Sequence, residues 1–288
     1  MNKRVLLLGS GGMLGSCVKK YLNFCPITID LCCPTNRFDQ QHRGEYERLI
    51  TNGNFDYIVN CVGAIPQKTN DFSINWELPE FLASQIVGTN TKVIHASTDC
   101  EFSGKIPDGK MYSHTDKPDA TDPYGLSKIR GTKVFSTSDF QATKQVIIFR
   151  TSIIGFEPNN GNKGLLGWFL SNEDGAVVTG FTNKWWNGIT TLQWAKFCCL
   201  AILYNTKVIC RGNCYNTNIF QPSTHPVNKY HLLNIFNEVF ERNIHVRVGS
   251  KDKVERKILK SNWTGYIDNI YQQLVDLKGF YENDSKIF

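Results

Sequence analysis

The stretch RVLLLGSGGMLGS, residues 4–16, joins a short apolar run to a glycine-rich turn and then to a helix-like segment. Its glycines Gly9, Gly12 and Gly15 form a GxxGxxG pattern. Between a strand and a helix, such glycines let the backbone turn tightly and approach a pyrophosphate, which then lies at the positive helix N-terminus. The stretch therefore predicts a dinucleotide site, and a glycine-rich turn without a ligand is the weaker alternative.

Short apolar runs alternate with helix-like segments through the first half of the chain. The apolar runs predict strands at 4–9, 27–33, 56–63, 92–97 and 145–153. The segments between them predict helices at 13–24, 44–53, 75–88 and 122–135. This alternation is typical of a parallel sheet covered on both faces. We therefore expect an α/β fold, a Rossmann-type doubly wound parallel sheet.

The pattern becomes less regular from about residue 155, where GFEPNNGNKG and later KWWNGITT, residues 184–191, have the composition of loops. We expect residues 1–154 and about 191–214 to form the dinucleotide-binding domain. A smaller, interleaved C-terminal substrate-binding lobe is expected from about 155–190 and 215–288.

The composition is that of an ordinary globular protein, with 288 residues, 41% hydrophobic and 20% charged. No apolar run is long enough for a membrane helix, so no membrane association is expected. The ten cysteines include the adjacent pairs Cys32–Cys33 and Cys198–Cys199 but no CxxC. Cys210 and Cys214 are spaced CxxxC without a second ligand pair nearby. This pattern favours free thiols in a reducing cytoplasm and no metal site.

The net charge is +6, and the basic residues are dispersed among acidic ones. This pattern argues against a nucleic-acid partner and is compatible with small anionic ligands. One basic group near the C-terminus has two interpretations. It could contact a nucleotide diphosphate or form a solvated helix face, and the second is favoured. Its members are Lys253, Arg256, Lys257 and Lys260.

The end of the second strand bears on the choice of cofactor. Asp30 follows Gly9 by 21 residues, the spacing at which an acid binds the ribose 2′-hydroxyl of NAD. The apolar run, however, continues through Cys33 and reaches PTNRF, which offers Arg37 and no acid. Because a guanidinium suits a 2′-phosphate, we expect NADPH, with NADH left open. A surface role is the alternative for Arg37.

The segment Tyr124-Gly-Leu-Ser-Lys128 has YxxxK spacing, which places both side chains on one helix face. A phenol titrates near pH 10, so a nearby ammonium is needed to stabilise the phenolate in the working pH range. The spacing alone also occurs in exposed turns. Here it follows a glycine-rich motif and a strand that ends at Ser97-Thr98.

This order of motifs resembles the extended short-chain dehydrogenase/reductase family. The segments that carry the resemblance are GxxGxxG, VNCVGA (59–64), HASTDCEFSG (95–104), DPYGLSK (122–128) and FRTSIIG (149–155). The sequence is most similar to the dTDP-4-dehydrorhamnose reductase branch, where Ser-Thr-Asp precedes Tyr-x-x-x-Lys at a similar spacing. The resemblance implies a reductive centre of Thr98, Tyr124 and Lys128. It also implies cofactor contacts from Gly9, Gly12, Met13, Leu14, Gly15, Cys61, Val62 and Gly63.

Cys100 departs from that branch, which usually has a tyrosine after Ser-Thr-Asp. A cysteine there resembles the bifunctional UDP-4-keto-6-deoxyglucose 3,5-epimerase/4-reductases of plants and giant viruses. That resemblance implies a second epimerisation residue at Lys163, 39 residues after Tyr124. Because a C4 ketone acidifies the C3 and C5 protons, a thiolate could remove them and an ammonium could return them. An ordinary buried cysteine and a solvated loop lysine are the alternatives.

A third group of residues lies where the family's substrate loop would be, and its members are Trp185, Asn187 and Thr190. A tryptophan could stack on a nucleobase, although adjacent tryptophans often include a core residue.

The expected activity is conversion of UDP-4-keto-6-deoxy-D-glucose to UDP-L-rhamnose with NADPH. The expected partner is thus a nucleotide-linked 4-keto-6-deoxyhexose, and a homodimer is left open. The alternatives are a monofunctional 4-keto reductase served by a separate epimerase, and a non-catalytic NADP-binding regulatory subunit.

Overall fold

A computed structural model of the chain describes residues 2–25, 29–158, 161–204 and 217–282. The strands of the first half are β1 (Lys3–Leu8), β2 (Ile29–Cys32), β3 (Tyr57–Asn60), β4 (Lys92–Ser97) and β5 (Val146–Arg150). The helices of the same half are α1 (Met13–Phe24), α2 (Arg43–Gly53), α3 (Ile74–Ile86), α4 (Pro123–Phe135) and α5 (Ser138–Thr143). A short 3₁₀ turn, Asp99–Glu101, follows β4.

The second half contains shorter elements. Its strands are β6 (Ile153–Ile154), β7 (Val177–Phe181), β8 (Lys184–Trp186), β9 (Ile189–Thr190), β10 (Ile219–Phe220), β11 (Val227–Asn228), β12 (His245–Gly249) and β13 (Glu255–Lys257). Its helices are α6 (Leu165–Leu170), α7 (Thr191–Tyr204), α8 (Lys229–Val239) and α9 (Ile270–Glu282).

The central element is a six-stranded sheet in the order β10-β5-β4-β3-β1-β2, with every neighbouring pair parallel. Both faces are covered because alternate side chains of a strand point to opposite sides. Val5 and Leu7 pack with α1 and α7, whereas Leu6 and Leu8 pack with α2, α3 and α4. The doubly wound α/β fold predicted from the sequence is confirmed.

Three small sheets, β11-β8-β13, β12-β7 and β6-β9, lie in the second half. A third apolar cluster joins them to α6, α8 and α9, with Phe169, Leu232, Phe236 and Leu274 fully or almost fully buried. The prediction of a loop at 184–191 is wrong, because this segment contains strands β8 and β9. Apolar residues such as Trp186 and Ile189 pair and pack there despite the flanking glycine.

Residues 219–220, predicted to belong to the smaller lobe, pair with β5 and extend the main sheet. The division of the chain into two domains otherwise stays a prediction. The predicted positions Cys210 and Cys214 lie outside the described residues. The eight cysteines within them are free thiols, and Cys25 and Cys199 approach to 3.1 Å between their sulfurs. Within the described ranges, no helix has the length and apolar character to cross a membrane.

Helices α3 and α4 meet at a position where a side chain does not fit. A Cβ added to Gly131 would overlap the carbonyl oxygen of Asn75. The Asn75 amide in turn donates to the Ser127 hydroxyl of α4 at 2.9 Å and to the Ala64 carbonyl at 3.0 Å. The close approach of the two helices therefore positions the loop that follows β3.

We expect Gly131→Ala to destabilise the protein by about 1–3 kcal/mol, because the methyl group must displace backbone atoms. Gly279→Ala in α9 is the matched control, since no atom lies within 4 Å of its added Cβ. Because alanine loses less conformational freedom on folding than glycine does, that variant should be more stable by about 0.5–1 kcal/mol. Urea unfolding measures both, and equal free energies of unfolding for the two variants would contradict the close packing.

Candidate active site

The glycine-rich turn brings β1, the start of α1 and the end of β3 into contact. Gly9 has φ of 80°, a conformation that favours glycine, and its added Cβ would lie 3.0 Å from the backbone of Cys61 and Val62. The Gly12 amide closes the turn by donating to the Gly9 carbonyl at 3.0 Å. A Cβ at Gly15 would overlap that same carbonyl oxygen. Gly9 and Gly15 therefore need to be glycine for this turn to pack.

The N-terminus of α1 is open to an anion. Gly12 caps the helix without a side-chain hydrogen bond, and no acidic residue lies in the first described turn. The first amides of a helix have no partner within it, and the helix dipole is positive there. The backbone around Gly9–Leu14 therefore fits a pyrophosphate, which needs close backbone approach and amide donors.

Asp30 and Arg37, the two residues considered for the cofactor ribose, lie in β2 and in the segment that follows it. Strand β2 ends at Cys32, and the Asp30 carboxylate points outward to Arg4 at 3.1 Å, with 62% of its side chain exposed. Arg37 lies five residues after the strand, in the exposed segment that precedes α2. Its contact with a 2′-phosphate stays a prediction.

Thr98 and Tyr124 meet at the carboxyl end of β4. The start of the helix that carries Tyr124 packs on the turn after β4, since a Cβ added to Gly125 would lie 2.6 Å from the Cys100 carbonyl oxygen. The Thr98 side chain is close enough to Tyr124 to lower the pKa of its phenol. Helix α4 begins at Pro123, and the Asp122 carboxylate caps it by accepting from the Gly125 amide at 2.9 Å. Pro at the first helical position and an acidic cap fix the helix start, so the local sequence determines the orientation of Tyr124.

Lys128 lies one turn after Tyr124 and is buried, with its Nζ donating to the Ala96 carbonyl at 2.9 Å. A Cβ added to Gly63 would be 3.9 Å from this Nζ. The segment Cys61–Gly63 therefore spans the distance between the glycine-rich turn and Lys128. The structure brings together the residues that the sequence predicted for the cofactor and for the reductive centre.

Burial controls the protonation of Tyr124 and Lys128. It lowers the pKa of Lys128 to about 8, against the attraction of Glu101 that raises it. Burial also raises the pKa of the Tyr124 phenol, and the negative field of Cys100 adds to this, while the Thr98 hydrogen bond lowers it. Tyr124 is therefore protonated at neutral pH and can donate a proton to a developing oxyanion.

Cys100 lies beside this pair in the 3₁₀ turn. Its amide donates to Thr98 Oγ1 at 3.1 Å, and its sulfur accepts from Lys257 Nζ at 3.5 Å. Burial, followed by the Asp99 charge, raises the pKa of the Cys100 thiol to about 12, whereas Lys257 lowers it. The Lys257 cation favours the thiolate, but burial has the larger effect on the pKa.

Lys163 has a different environment. Its backbone amide donates to the Glu157 carboxylate at 2.6 Å, and its side chain is exposed. The adjacent Gly164 faces Met13, whose sulfur lies 3.5 Å from the added Cβ. Among the described residues, the lysine hydrogen bonded to the Cys100 sulfur is Lys257. A catalytic role for Lys163 stays a prediction.

The basic group near the C-terminus is not a helix face. Residues 255–257 form strand β13, and the Lys257 side chain is only 21% exposed. The interpretation as a solvated helix face is therefore wrong for Lys257. The sequence signal was weak because this lysine lies 157 residues from its partner and carries no motif of its own.

Two of the predicted substrate residues are held in the protein interior. The Asn187 amide donates to the Leu259 carbonyl at 2.8 Å and accepts from the Leu259 amide at 3.0 Å. Thr190 is buried, and its hydroxyl accepts from the Gln193 amide at 3.2 Å. Trp185 is half-buried in β8 and is the accessible member of the set. Substrate contact by all three stays untested.

Sequence reasoning missed the buried ion pair beneath the site. Glu101 is fully buried and its carboxylate lies 2.7 Å from the Arg150 guanidinium of β5. The hydroxyls of Ser97 and Thr132 also donate to Glu101. This network links the end of β4 and the 3₁₀ turn that carries Cys100 to β5 and to α4, the helix that carries Lys128. An acid directly after Asp-Cys was the available signal.

Comparison with known proteins shows the family and the fold of the chain. The family model of the RmlD substrate binding domain matches residues 3–175. The dTDP-4-dehydrorhamnose reductases of two Mycobacterium tuberculosis strains are 25% identical to the chain over 143 residues, or 45% of its length. The matched region spans less than half of these curated relatives, 44% of each.

Solved structures share the fold over nearly the whole chain. A dTDP-4-dehydrorhamnose reductase of Clostridium acetobutylicum has a TM-score of 0.74 at 14% identity, covering 97% of this chain and 99% of that one. The Bacillus anthracis enzyme in complex with NADP has a TM-score of 0.72 at 15% identity, with coverage of 98% and 100%. The Thermotoga maritima UDP-glucose 4-epimerase with UDP-glucose also has 0.72, at 14% identity, with coverage of 99% and 100%. At these identities the likeness concerns the fold.

We expect Glu101→Gln to destabilise the protein by about 3–5 kcal/mol, because it leaves the Arg150 charge buried without a counter-charge. Glu80→Gln is the control, since Glu80 pairs with Arg130 at 2.8 Å on the surface with 46% of its side chain exposed. Loss of that pair should change the free energy of unfolding by about 0–1 kcal/mol. Similar urea midpoints for both variants would show that the buried pair does not support the site.

Proposed function

This chain belongs to the RmlD substrate binding domain family, and from that premise we propose that it reduces a nucleotide-linked 4-keto-6-deoxyhexose with NADPH. The observation that carries the proposal is the contact of Tyr124 with Thr98, one helical turn from buried Lys128. This triad lies at the edge of the sheet where the glycine-rich turn also ends. A cofactor and a ketone can therefore share one cleft.

The residues present fit a dinucleotide. The turn at Gly9 and Gly12 admits a pyrophosphate to the α1 amides, and Cys61–Gly63 extends from it towards Lys128. Arg37 is the residue we assign to the 2′-phosphate. When bound, the reduced nicotinamide supplies the hydride for the C4 carbonyl. The Bacillus anthracis relative in complex with NADP supports the choice of NADPH.

The chain's own residues manage the proton. Tyr124 gives its phenolic proton to the oxygen that develops at C4, and Thr98 holds this hydroxyl in place. Lys128 stabilises the phenolate left on Tyr124 until a proton returns from solvent. Because its pKa is near 8, Lys128 is mostly charged at neutral pH and able to do so.

We further propose that the same cleft epimerises C3 and C5 before reduction, as in the formation of UDP-L-rhamnose from UDP-4-keto-6-deoxy-D-glucose. Cys100 supports this proposal because its amide donates to Thr98 and its side chain is close enough to Tyr124 to act on the pKa of the phenol. As a thiolate it takes the C–H proton, and the electron pair of that bond moves towards the C4 oxygen as an enolate. A proton returned on the opposite face inverts the carbon, and Lys163 is the residue we assign to that step.

We expect Tyr124→Phe to lower NADPH oxidation with UDP- or dTDP-4-keto-6-deoxyhexoses by about 10²-fold or more, because the proton donor is lost. Tyr266→Phe, which alters a tyrosine that is 85% exposed, should retain wild-type rates. The decrease in NADPH absorbance measures both. Unchanged turnover in Tyr124→Phe would contradict the mechanism. Tight NADPH binding by the wild-type protein, without oxidation of the NADPH by any such sugar, would favour a regulatory subunit.

We expect wild-type protein in deuterated water to exchange the protons on C3 and C5 of the UDP-linked 4-keto sugar for deuterium, even without NADPH. Cys100→Ser should lose most of this exchange, because a serine hydroxyl is a far weaker acid than a thiol. The same variant should still reduce a 4-keto sugar that is already epimerised. Cys33→Ser is a control at a thiol outside the cluster, and NMR or mass spectrometry measures the deuterium. Wild-type protein that reduces but never exchanges would be a monofunctional reductase.

A further inference from the structure

Strand β13 is docked against the turn that carries Cys100. The Arg256 amide donates to the Gly104 carbonyl at 2.9 Å. Gly104 has φ of 78°, and a Cβ there would lie 2.7 Å from Glu255 Cγ and 3.2 Å from Lys257 Cγ. A side chain at this glycine would push the strand away. The approach of Lys257 to the turn is therefore built into the backbone.

Neighbouring groups hold the Lys257 ammonium in position. Glu255 Oε1 lies 3.3 Å from Lys257 Nζ, and the other oxygen of that carboxylate pairs with Lys184 Nζ at 2.6 Å. Lys257 Nζ also lies 3.5 Å from the Cys100 sulfur. The ammonium thus contacts both a carboxylate and the thiol, and only a fifth of its side chain is exposed.

The surroundings of the Cys100 thiol contain charges of both signs. Negative groups disfavour a thiolate and positive groups favour it. The titratable groups in this cluster are Asp99 and Glu101 in the same turn, Tyr124 and Lys128 in α4, Lys229 in α8, and Glu255 and Lys257 in β13. The cation hydrogen bonded to the sulfur is Lys257, so its charge has the strongest favourable action on a thiolate.

We propose that Lys257 is the positioning residue that makes Cys100 a base, by stabilising its thiolate as an ion pair. The thiol proton leaves to solvent, the sulfur keeps the electron pair, and Lys257 remains an ammonium. The thiolate then takes the proton from the sugar carbon. Its catalytic use rests on the proposed epimerisation, whereas the ion pair itself does not.

This assignment separates the roles of two lysines. Lys257 contacts the sulfur, so both groups lie on the same side of a sugar bound beside Cys100. An acid that inverts a carbon must approach from the opposite face. Lys257 therefore does not replace Lys163 as the proton donor, and instead supplies the charge that Cys100 needs in a buried environment.

The test is the pH dependence of Cys100 alkylation by iodoacetamide in the intact protein. Trypsin releases residues 93–105, in which Cys100 is the one cysteine, so mass spectrometry follows this site alone. Lys257→Met should slow alkylation at pH 8 about tenfold or more, since one pKa unit changes the thiolate fraction tenfold. Lys257→Arg keeps the charge and should stay within about threefold of wild type. Lys163→Met should not change the profile.

An unchanged profile in Lys257→Met would overturn the ion pair. So would an equal loss in Lys257→Arg, because the effect would then not follow the charge. NADPH binding by each variant, measured by fluorescence, shows that the fold is kept. A wild-type protein that fails to exchange deuterium at C3 and C5 would reject the proposed epimerisation, and the alkylation profiles would still decide whether Lys257 acts on Cys100.

Discussion

The parallel pairing of β1, β3 and β4 is the constraint on which the site depends. Parallel strands end at one edge of their sheet, so the segments that follow them must meet there. Here those segments are the glycine-rich turn, Cys61–Gly63 and Thr98–Cys100. Helix α4 then adds Tyr124 and Lys128 to the same edge. The fold thus gathers chemistry from distant positions without long loops.

Burial at this edge has opposite consequences for different groups. It shifts Lys128 towards the neutral form and both Tyr124 and Cys100 towards the protonated form. For proton donation by Tyr124, this suits the chemistry directly. Proton abstraction by Cys100 needs a thiolate, which burial disfavours, so a compensating positive charge is required. The contact with Lys257 provides such a charge, and the buried pair of Glu101 and Arg150 fixes the turn on which Cys100 sits.

Local patterns in the sequence were sufficient for much of the fold. Helices α1 to α4 and strands β1 to β5 follow from apolar periodicity, glycine spacing and a Pro–Tyr helix start, all of which act over a few residues. The pairing of β10 with β5 and the approach of β13 to the Cys100 turn depend on packing between remote segments. Lys257 has no local signal, whereas Lys163 was implied by the family resemblance, from its position 39 residues after Tyr124. The buried state of Asn187 and Thr190 likewise depends on residues from the end of the chain.

The sequence separation of 157 between Cys100 and Lys257 also affects the order in which the site forms during synthesis. The chain emerges from the ribosome with its first half leading, and domains fold as their segments become available. The sheet edge with Thr98, Tyr124 and Lys128 can assemble before β13 has been synthesised. During the same interval the outer edge of β5 is unpaired, because its partner β10 has not yet been synthesised either. A nascent chain would therefore hold its reductive triad before Cys100 acquired its cation.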